Sequence, residues 1–176
     1  MGTDKAFLRV GNDLLIERQL RCLRESGAAE LLISGRVEVD YSSFEATVVN
    51  DEFPRAGPLA GVAAALKGSS SCLVFVLAVD MPRMTPAMIG KILSRCKYDG
   101  GCVPVDGHGL QPLGAAYPIS LLPLAEDLLR IGRYSMQEFV GQAISEGFIQ
   151  RLQLEQAEHI YFTNMNLPHE WAAISD

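Results

Sequence analysis

The stretch Ser71–Met84, SCLVFVLAVDMPRM, is the starting point for reading this chain. From Cys72 to Val79 it is continuously apolar and of strand length, and it ends on a single acid, Asp80, ahead of Met81 and Pro82. A strand apolar on both faces belongs in a sheet covered on both sides, as parallel α/β sheets are. Ligands in such sheets bind beyond the carboxyl ends of the strands, which is where Asp80 falls. A lone carboxylate there can hold a divalent cation against a nucleotide phosphate. The plainer alternative is that Asp80 only caps the turn before a helix at Thr85.

Strand and helix signals alternate on either side of this run. After an extended piece at Ala6–Val10, Asn12–Ser26 places Leu14, Leu15, Leu20 and Leu23 at helical spacing, with Gly27 as a stop. Short strands are expected at Glu30–Ser34 and Ala46–Asn50. A turn-rich Glu52–Gly57 then opens a helix over Pro58–Lys67, with proline in its first turn, where a missing N–H costs nothing. A further helix is expected at Thr85–Lys97, with Thr85 as N-cap and Pro86 at the first helical position. Cys102–Val105 and Leu113–Tyr117 flank Asp106-Gly107-His108-Gly109, a hairpin turn. Helices at Ser120–Ile131 and Ser135–Glu146, a strand at Phe148–Leu154, an extended His159–Asn164 and a short helix after Pro168 complete the chain. The alternation predicts an α/β fold with a mostly parallel sheet and one local antiparallel hairpin.

At 176 residues the chain suits a single domain with a substantial core. Hydrophobic residues at 48% and charged residues at 20% exclude a disordered chain. No apolar stretch approaches bilayer-spanning length and no signal pattern opens the sequence, so a cytoplasmic protein without a membrane partner is expected. The four cysteines, Cys22, Cys72, Cys96 and Cys102, show no CxxC spacing and read as reduced, mainly buried thiols. A net charge of −6 argues against nucleic acid as the main partner, but leaves room for a phosphorylated small molecule held by a local cluster of cations and amides.

No GxxxxGK[ST] loop, GxGxxG, HExxH or GxSxG is present. What remains is a set of polar residues and glycines at element ends: Lys5, Asp51, Gly57, Gly61, Asp80, Asn164 and Asn166. Each has a bland reading as a solvated lysine, a helix start or an asparagine turn. The segments that hold them are MGTDKAFL at Met1–Leu8, VVND at Val48–Asp51, GPLAG at Gly57–Gly61 and LAVDMP at Leu77–Pro82. QPLGAAYP at Gln111–Pro118 and NMNLP at Asn164–Pro168 complete the set. In this order and spacing the chain resembles the molybdenum cofactor guanylyltransferases, nucleotidyltransferases that join GMP to molybdopterin. GPLAG favours the guanylyl branch over cytidylyl relatives.

The resemblance implies a three-layer α/β sandwich with a Rossmann-like sheet of the nucleotide-diphospho-sugar transferase type. It implies GTP and molybdopterin as substrates, Mg²⁺ as cofactor, and proteins of cofactor biosynthesis or molybdoenzyme chaperones as partners. Lys5 matches the lysine on the nucleotide phosphates, Asp51 the acid at the nucleotide site, and Asp80 the Mg²⁺ ligand. Lys5 and Asp80 are thus the implied catalytic pair. Gly57 and Gly61 match positions where backbone approaches guanine, and Asn164 and Asn166 match asparagines near the pterin. A carboxylate and a triphosphate about 4 Å apart repel by about 1 kcal/mol even in water, so acids facing phosphates need a cation between them. His108, His159 and His169 read as surface residues, and Arg133 as a solvated helix-end arginine or a contact to an acceptor phosphate.

Three departures stand against the family pattern. The family opens with a strand and a loop of the form LAGGxSxRMGxDK, whereas this chain starts at the methionine of that motif, so an N-terminally truncated domain over residues 1–176 is expected. Loss of a central strand leaves two neighbours with unpaired backbone and exposed apolar faces. Gly35 stands where some relatives carry asparagine, and Leu167-Pro168-His169-Glu170 replaces a Thr-Pro-Glu-Glu type segment. The alternatives are a non-catalytic nucleotide-, pterin- or partner-binding remnant, or a transferase using another nucleotide.

Overall fold

The computed structural model describes residues 5–36, 38–53 and 55–164. A 3₁₀ turn at Lys5–Phe7 leads into a small antiparallel hairpin of β1 (Arg9–Val10) and β2 (Asp13–Leu14). Gly11-Asn12, with Gly11 at φ +61°, is the two-residue turn that makes this hairpin, a signal the sequence reading passed over, and it delays the first helix, α1 (Leu15–Glu25), beyond its expected start at Asn12. α1 buries Leu15, Ile16, Gln19, Leu20 and Cys22, and the chain turns away from it at Gly27, whose φ of +87° lies in the left-handed region. β3 (Leu32–Ser34) and β4 (Thr47–Val49) pair in parallel, and α2 (Pro58–Gly68) returns the chain to β5 (Leu73–Leu77).

Thr85 caps α3 (Pro86–Leu93) as expected, its hydroxyl accepting from the Met88 N–H at 3.2 Å. β6 (Gly101–Asp106), β7 (Gly109–Leu110) and β8 (Gly114–Pro118) follow, then α4 (Leu122–Arg130), α5 (Met136–Ser145) and β9 (Ile149–Gln153). β8 runs antiparallel to both β5 and β6 and lies between them, while β9 runs parallel to β6. β5, β6 and β9 therefore share one direction, with β8 reversed among them. The expected hairpin forms with an interruption in its second arm. Across the Asp106–Gly109 turn β6 pairs first with the two-residue β7, and beyond Pro112, which has no N–H to give to a ladder, β8 pairs with β6 again at Cys102–Ala116 while its other edge pairs along its whole length with β5.

Side-chain alternation on the strands builds three layers. On one face Val103, Ala115 and Tyr117 pack with Leu59, Ala63 and Leu66 of α2, Leu128 of α4, and Phe139 and Val140 of α5. On the other, Cys102 and Ala116 meet Met88, Ile89 and Ile92 of α3, with Leu152, Leu154 and Phe162. Tyr117 is fully buried and donates its hydroxyl to the Pro112 carbonyl at 2.6 Å, so its polar atom is satisfied. Among the described residues no helix is long and apolar enough to cross a membrane.

Two expectations need correction. His159–Asn164 is not extended: Gln156–Phe162 forms a 3₁₀ helix. Glu155 and Glu158 form a capping box at its start, an ion pair joins Glu158 to Lys91, and Phe162 is buried against Gly114, so local capping and one anchor override the extended pattern. The Cys72–Val79 run is covered on both faces but not on both edges. Val74 and Val76 pack into one core and Leu73, Phe75 and Leu77 into the other, yet every residue of β5 is only half-buried. β5 makes no ladder with β3, and a groove of about 1140 Å³ runs between them, lined by Leu32, Ile33 and Ser34 on one side and the Leu73–Val79 run on the other.

Candidate nucleotide and metal site

Beyond β5 the chain makes a turn in which the Met81 N–H donates to the Ala78 carbonyl at 3.3 Å, and Asp80 stands within it. The Asp80 side chain is 19% exposed, and Lys5 Nζ donates to its Oδ2 at 3.0 Å. Residues 75 positions apart in sequence are thus brought together at the carboxyl end of β5 as a lysine–carboxylate pair.

The groove beside this pair gathers further residues. Ser34, Gly35 and Arg36 at the end of β3, Asp51 after β4, and Gly57 and Gly61 of the α2 start all line it. Asp51 Oδ1 accepts from the Phe53 N–H at 2.6 Å, which shapes its own turn. Gly57 is the N-cap of α2 with φ +70°, a conformation that disfavours any side chain, although space is open around it. At Gly61 space itself is limiting, because a Cβ would lie 2.7 Å from Ser34 Oγ, so glycine lets α2 approach β3 closely. Gly35 is confined in the same way, with a Cβ falling 2.2 Å from the Tyr41 ring. An asparagine there is incompatible with this packing of Tyr41.

Other expected residues lie apart. Asn164 is exposed beyond the last 3₁₀ turn and is not part of the groove wall, and Asn166 lies outside the described residues. Arg133 is exposed and ion-paired to Glu138 across the start of α5, which favours its reading as a helix-end arginine. His108 is exposed in the β6–β7 turn, His159 is half-buried on the 3₁₀ helix, and His169 lies outside the described residues. Sequence reasoning missed Ser34, Arg36 and Arg55 of the groove wall. Arg55 holds φ +73°, rare for a non-glycine residue, and nothing in its local sequence signals this.

Among the described residues no group of three or more His, Cys, Asp or Glu side chains is arranged to cage a metal. The donor at the site is one half-buried carboxylate beside a lysine. That donor set fits Mg²⁺, which typically takes one or two carboxylates and keeps waters and substrate phosphates as its other ligands.

The profile of the MobA-like NTP transferase domain matches residues 1–147. The chain belongs to that family. It is 40% identical over 173 residues to a probable molybdenum cofactor guanylyltransferase of Opitutus terrae, covering 97% of this chain and 86% of that one. A molybdenum cofactor guanylyltransferase of Xanthomonas euvesicatoria is 26% identical over 184 residues, covering 99% and 87% of the two chains. Among solved structures, molybdopterin-guanine dinucleotide biosynthesis protein A of Archaeoglobus fulgidus superposes with a TM-score of 0.75 at 22% identity, over 98% of this chain and 89% of that one. The 2-C-methyl-D-erythritol 4-phosphate cytidylyltransferase of Thermus thermophilus gives 0.73 at 20% identity, over 96% and 91%. These superpositions show that the chain shares the fold of those two proteins.

Proposed function

We propose that this protein transfers GMP from GTP to molybdopterin, releasing pyrophosphate, in a Mg²⁺-dependent reaction of the cytoplasm. The observation that carries the reading is the Lys5–Asp80 pair at the carboxyl end of β5, in a chain whose 40%-identical relative bears the guanylyltransferase name. The terminal phosphate of molybdopterin attacks the α-phosphorus of GTP in line. The new P–O bond forms as the α–β bridging bond breaks, and the electron pair leaves with pyrophosphate. A phosphate monoester has its second pKa at about 6, so the nucleophile is already mostly ionised near neutral pH and no general base is required. Lys5 offsets charge on the phosphates, and Asp80 is the residue that would hold Mg²⁺. Bound there, the ion would neutralise charge developing on the leaving group. Gly57, Gly61 and Asp51 form the wall along which we place the nucleoside, with Asn164 and Asn166 assigned to the pterin side.

The reading extends to the groove. A strand joined ahead of the described residues would pair with both β3 and β5 and bring a glycine-rich loop to the Asp80 end. What supports this is the pair of unladdered edges and the half-buried run along β5. The same open edges favour the second reading, a binding remnant without transfer.

Equilibrium binding of GTP tests the metal assignment. We expect tight binding only with Mg²⁺, and a loss of at least about tenfold in Asp80→Ala, the scale of a lost metal partner. Equal affinity in the two proteins would remove Asp80 from the site. Pyrophosphate release from GTP with molybdopterin present separates transfer from mere binding, and competition among GTP, CTP and ATP tests the choice of nucleotide.

A further inference from the structure

The turn that holds Asp80 is braced from α1. Its backbone bonds are long, Met81 N–H to the Ala78 carbonyl at 3.3 Å and Met84 N–H to the Met81 carbonyl at 3.2 Å, and side chains of α1 add donors to the same carbonyls. Gln19 Nε2 donates to the Met81 carbonyl at 2.8 Å and to the Ala78 carbonyl at 3.2 Å, with the Val79 carbonyl at 3.4 Å. Arg18 Nε donates to the Pro82 carbonyl at 2.7 Å, and one helical turn further Cys22 Sγ approaches the Met84 carbonyl at 3.5 Å. The carbonyls on both sides of Asp80 are thus gripped by one buried side chain, 5% exposed, that lies about sixty residues away in sequence.

The chemistry of the grip is specific. A primary amide offers two N–H donors and no charge, so it can bind several carbonyls without placing a cation beside the Asp80 carboxylate. A carboxylate of the same shape donates nothing and would face those carbonyls with like polarity. Gln19 Oε1 is buried without a hydrogen-bond partner, so the orientation of the amide is set by what it donates.

We propose that Gln19, assisted by Arg18, is the positioning residue for Asp80, and that it sets how well that carboxylate binds a divalent cation in the nucleotide complex. The inference rests on the metal role of Asp80 proposed above. Mg²⁺ demands near-ideal octahedral geometry at short distances, so a ligand on a loosened turn binds it poorly. Residues that orient a metal ligand typically change affinity by about 10- to 100-fold when removed.

The test uses Mn²⁺ as the probe, titrated against the protein with GTP and followed by electron paramagnetic resonance, beside GTP affinity measured without metal. Gln19→Met keeps the length and loses both donors. We expect Mn²⁺ affinity in the GTP complex to fall about tenfold or more, metal-free GTP affinity to stay within about twofold, and Gln19→Glu to behave like Gln19→Met despite its closer shape. A merely structural role would lower metal-free and metal-dependent binding together. Wild-type Mn²⁺ affinity in Gln19→Met, while Asp80→Ala loses the signal, overturns the positioning role and leaves the Asp80 assignment standing. Wild-type Mn²⁺ affinity in Asp80→Ala, or no Mn²⁺ binding by the unmodified chain with GTP, overturns both. If Gln19→Met does not fold, Arg18→Met is measured in its place: a fall of about threefold or more supports the grip, on the scale of one lost hydrogen bond, and no change overturns it.

Discussion

Cys102 is fully buried in the sheet, and desolvation pushes its thiol up to about 12, while burial raises Cys22 to about 11 and Cys96 in the same direction. Cys72 is exposed, although it opens the apolar run, because it precedes β5 rather than joining its ladder. Since the thiolate is the reactive form, iodoacetamide at about pH 8 should label Cys72 first, Cys96 slowly, and Cys22 and Cys102 only on unfolding. Peptide mass spectrometry over time checks this, and fast labelling of Cys102 would contradict the packing of Ala116 and Cys102 under α3. At the same scale, the Lys5–Asp80 bridge joins a 43%-exposed lysine to a mostly covered acid. Bridges of this partly solvated kind contribute about 0–1 kcal/mol, so Asp80→Ala should leave the urea midpoint nearly unchanged. A large loss of stability would mean that any binding defect in that variant reports unfolding.

At the scale of elements, the 3₁₀ helix Gln156–Phe162 is the clearest case of a segment fixed from outside itself. Its inner face buries Phe162 beside Gly114, and Glu158 ties it to Lys91 of α3. The hydrogen bond from Lys91 holds the Glu158 carboxyl below its usual value of 4.5, helped by the Glu155 N–H. The native value therefore lies below the unfolded one. The contribution is complete above the unfolded pKa and fades as pH falls through the native one. In urea titrations, wild type should exceed Glu158→Gln at about pH 6, and the difference should shrink as the pH falls below the usual carboxylate value of 4.5. A gap that is independent of pH would show that the glutamate acts through packing alone.

Among the described residues the β3–β4 pair and the five-stranded sheet are separate pieces of sheet, with a groove between them. β3 and β4 attach to the rest largely through α2, and through Glu30, whose carboxylate accepts from Ser69 Oγ at 2.5 Å and from the Ser70 and Ser71 amides at 2.9 and 3.2 Å. Among the described residues no strand ladders the edges of β3 and β5 that face the groove, and backbone N–H groups outside a ladder exchange faster with water. Hydrogen exchange should therefore be faster in Leu73–Leu77 than in Gly114–Pro118, although the two strands are laddered together. Adding an apolar strand and a glycine-rich loop ahead of Met1 should slow exchange in both β3 and β5. It should also raise the urea midpoint, since each aliphatic side chain it buries contributes about 1.5–3 kcal/mol. Protection that stays unchanged would refute the groove as a strand site.

The layer architecture was legible in local chemistry. Apolar runs, the proline at the start of α2, the Thr85 cap and the glycine after α1 are short-range signals, and each produced the element expected within a few residues. The place of Asp80 just beyond β5 was also legible, because an acid closing an apolar run marks the end of a strand. Contacts between distant parts of the chain were not. Lys5 meeting Asp80, β8 lying between β5 and β6, Tyr41 lying over Gly35 and Gln19 gripping the Asp80 turn all join residues through packing. Gln19 itself looks like any polar residue on an amphipathic helix. Sequence alone determined which elements form and where an acid ends a strand, because those depend on neighbours a few positions away. The tertiary structure decided which side chains share a site, because the enthalpy of a buried hydrogen bond is set by three-dimensional proximity that no local pattern encodes.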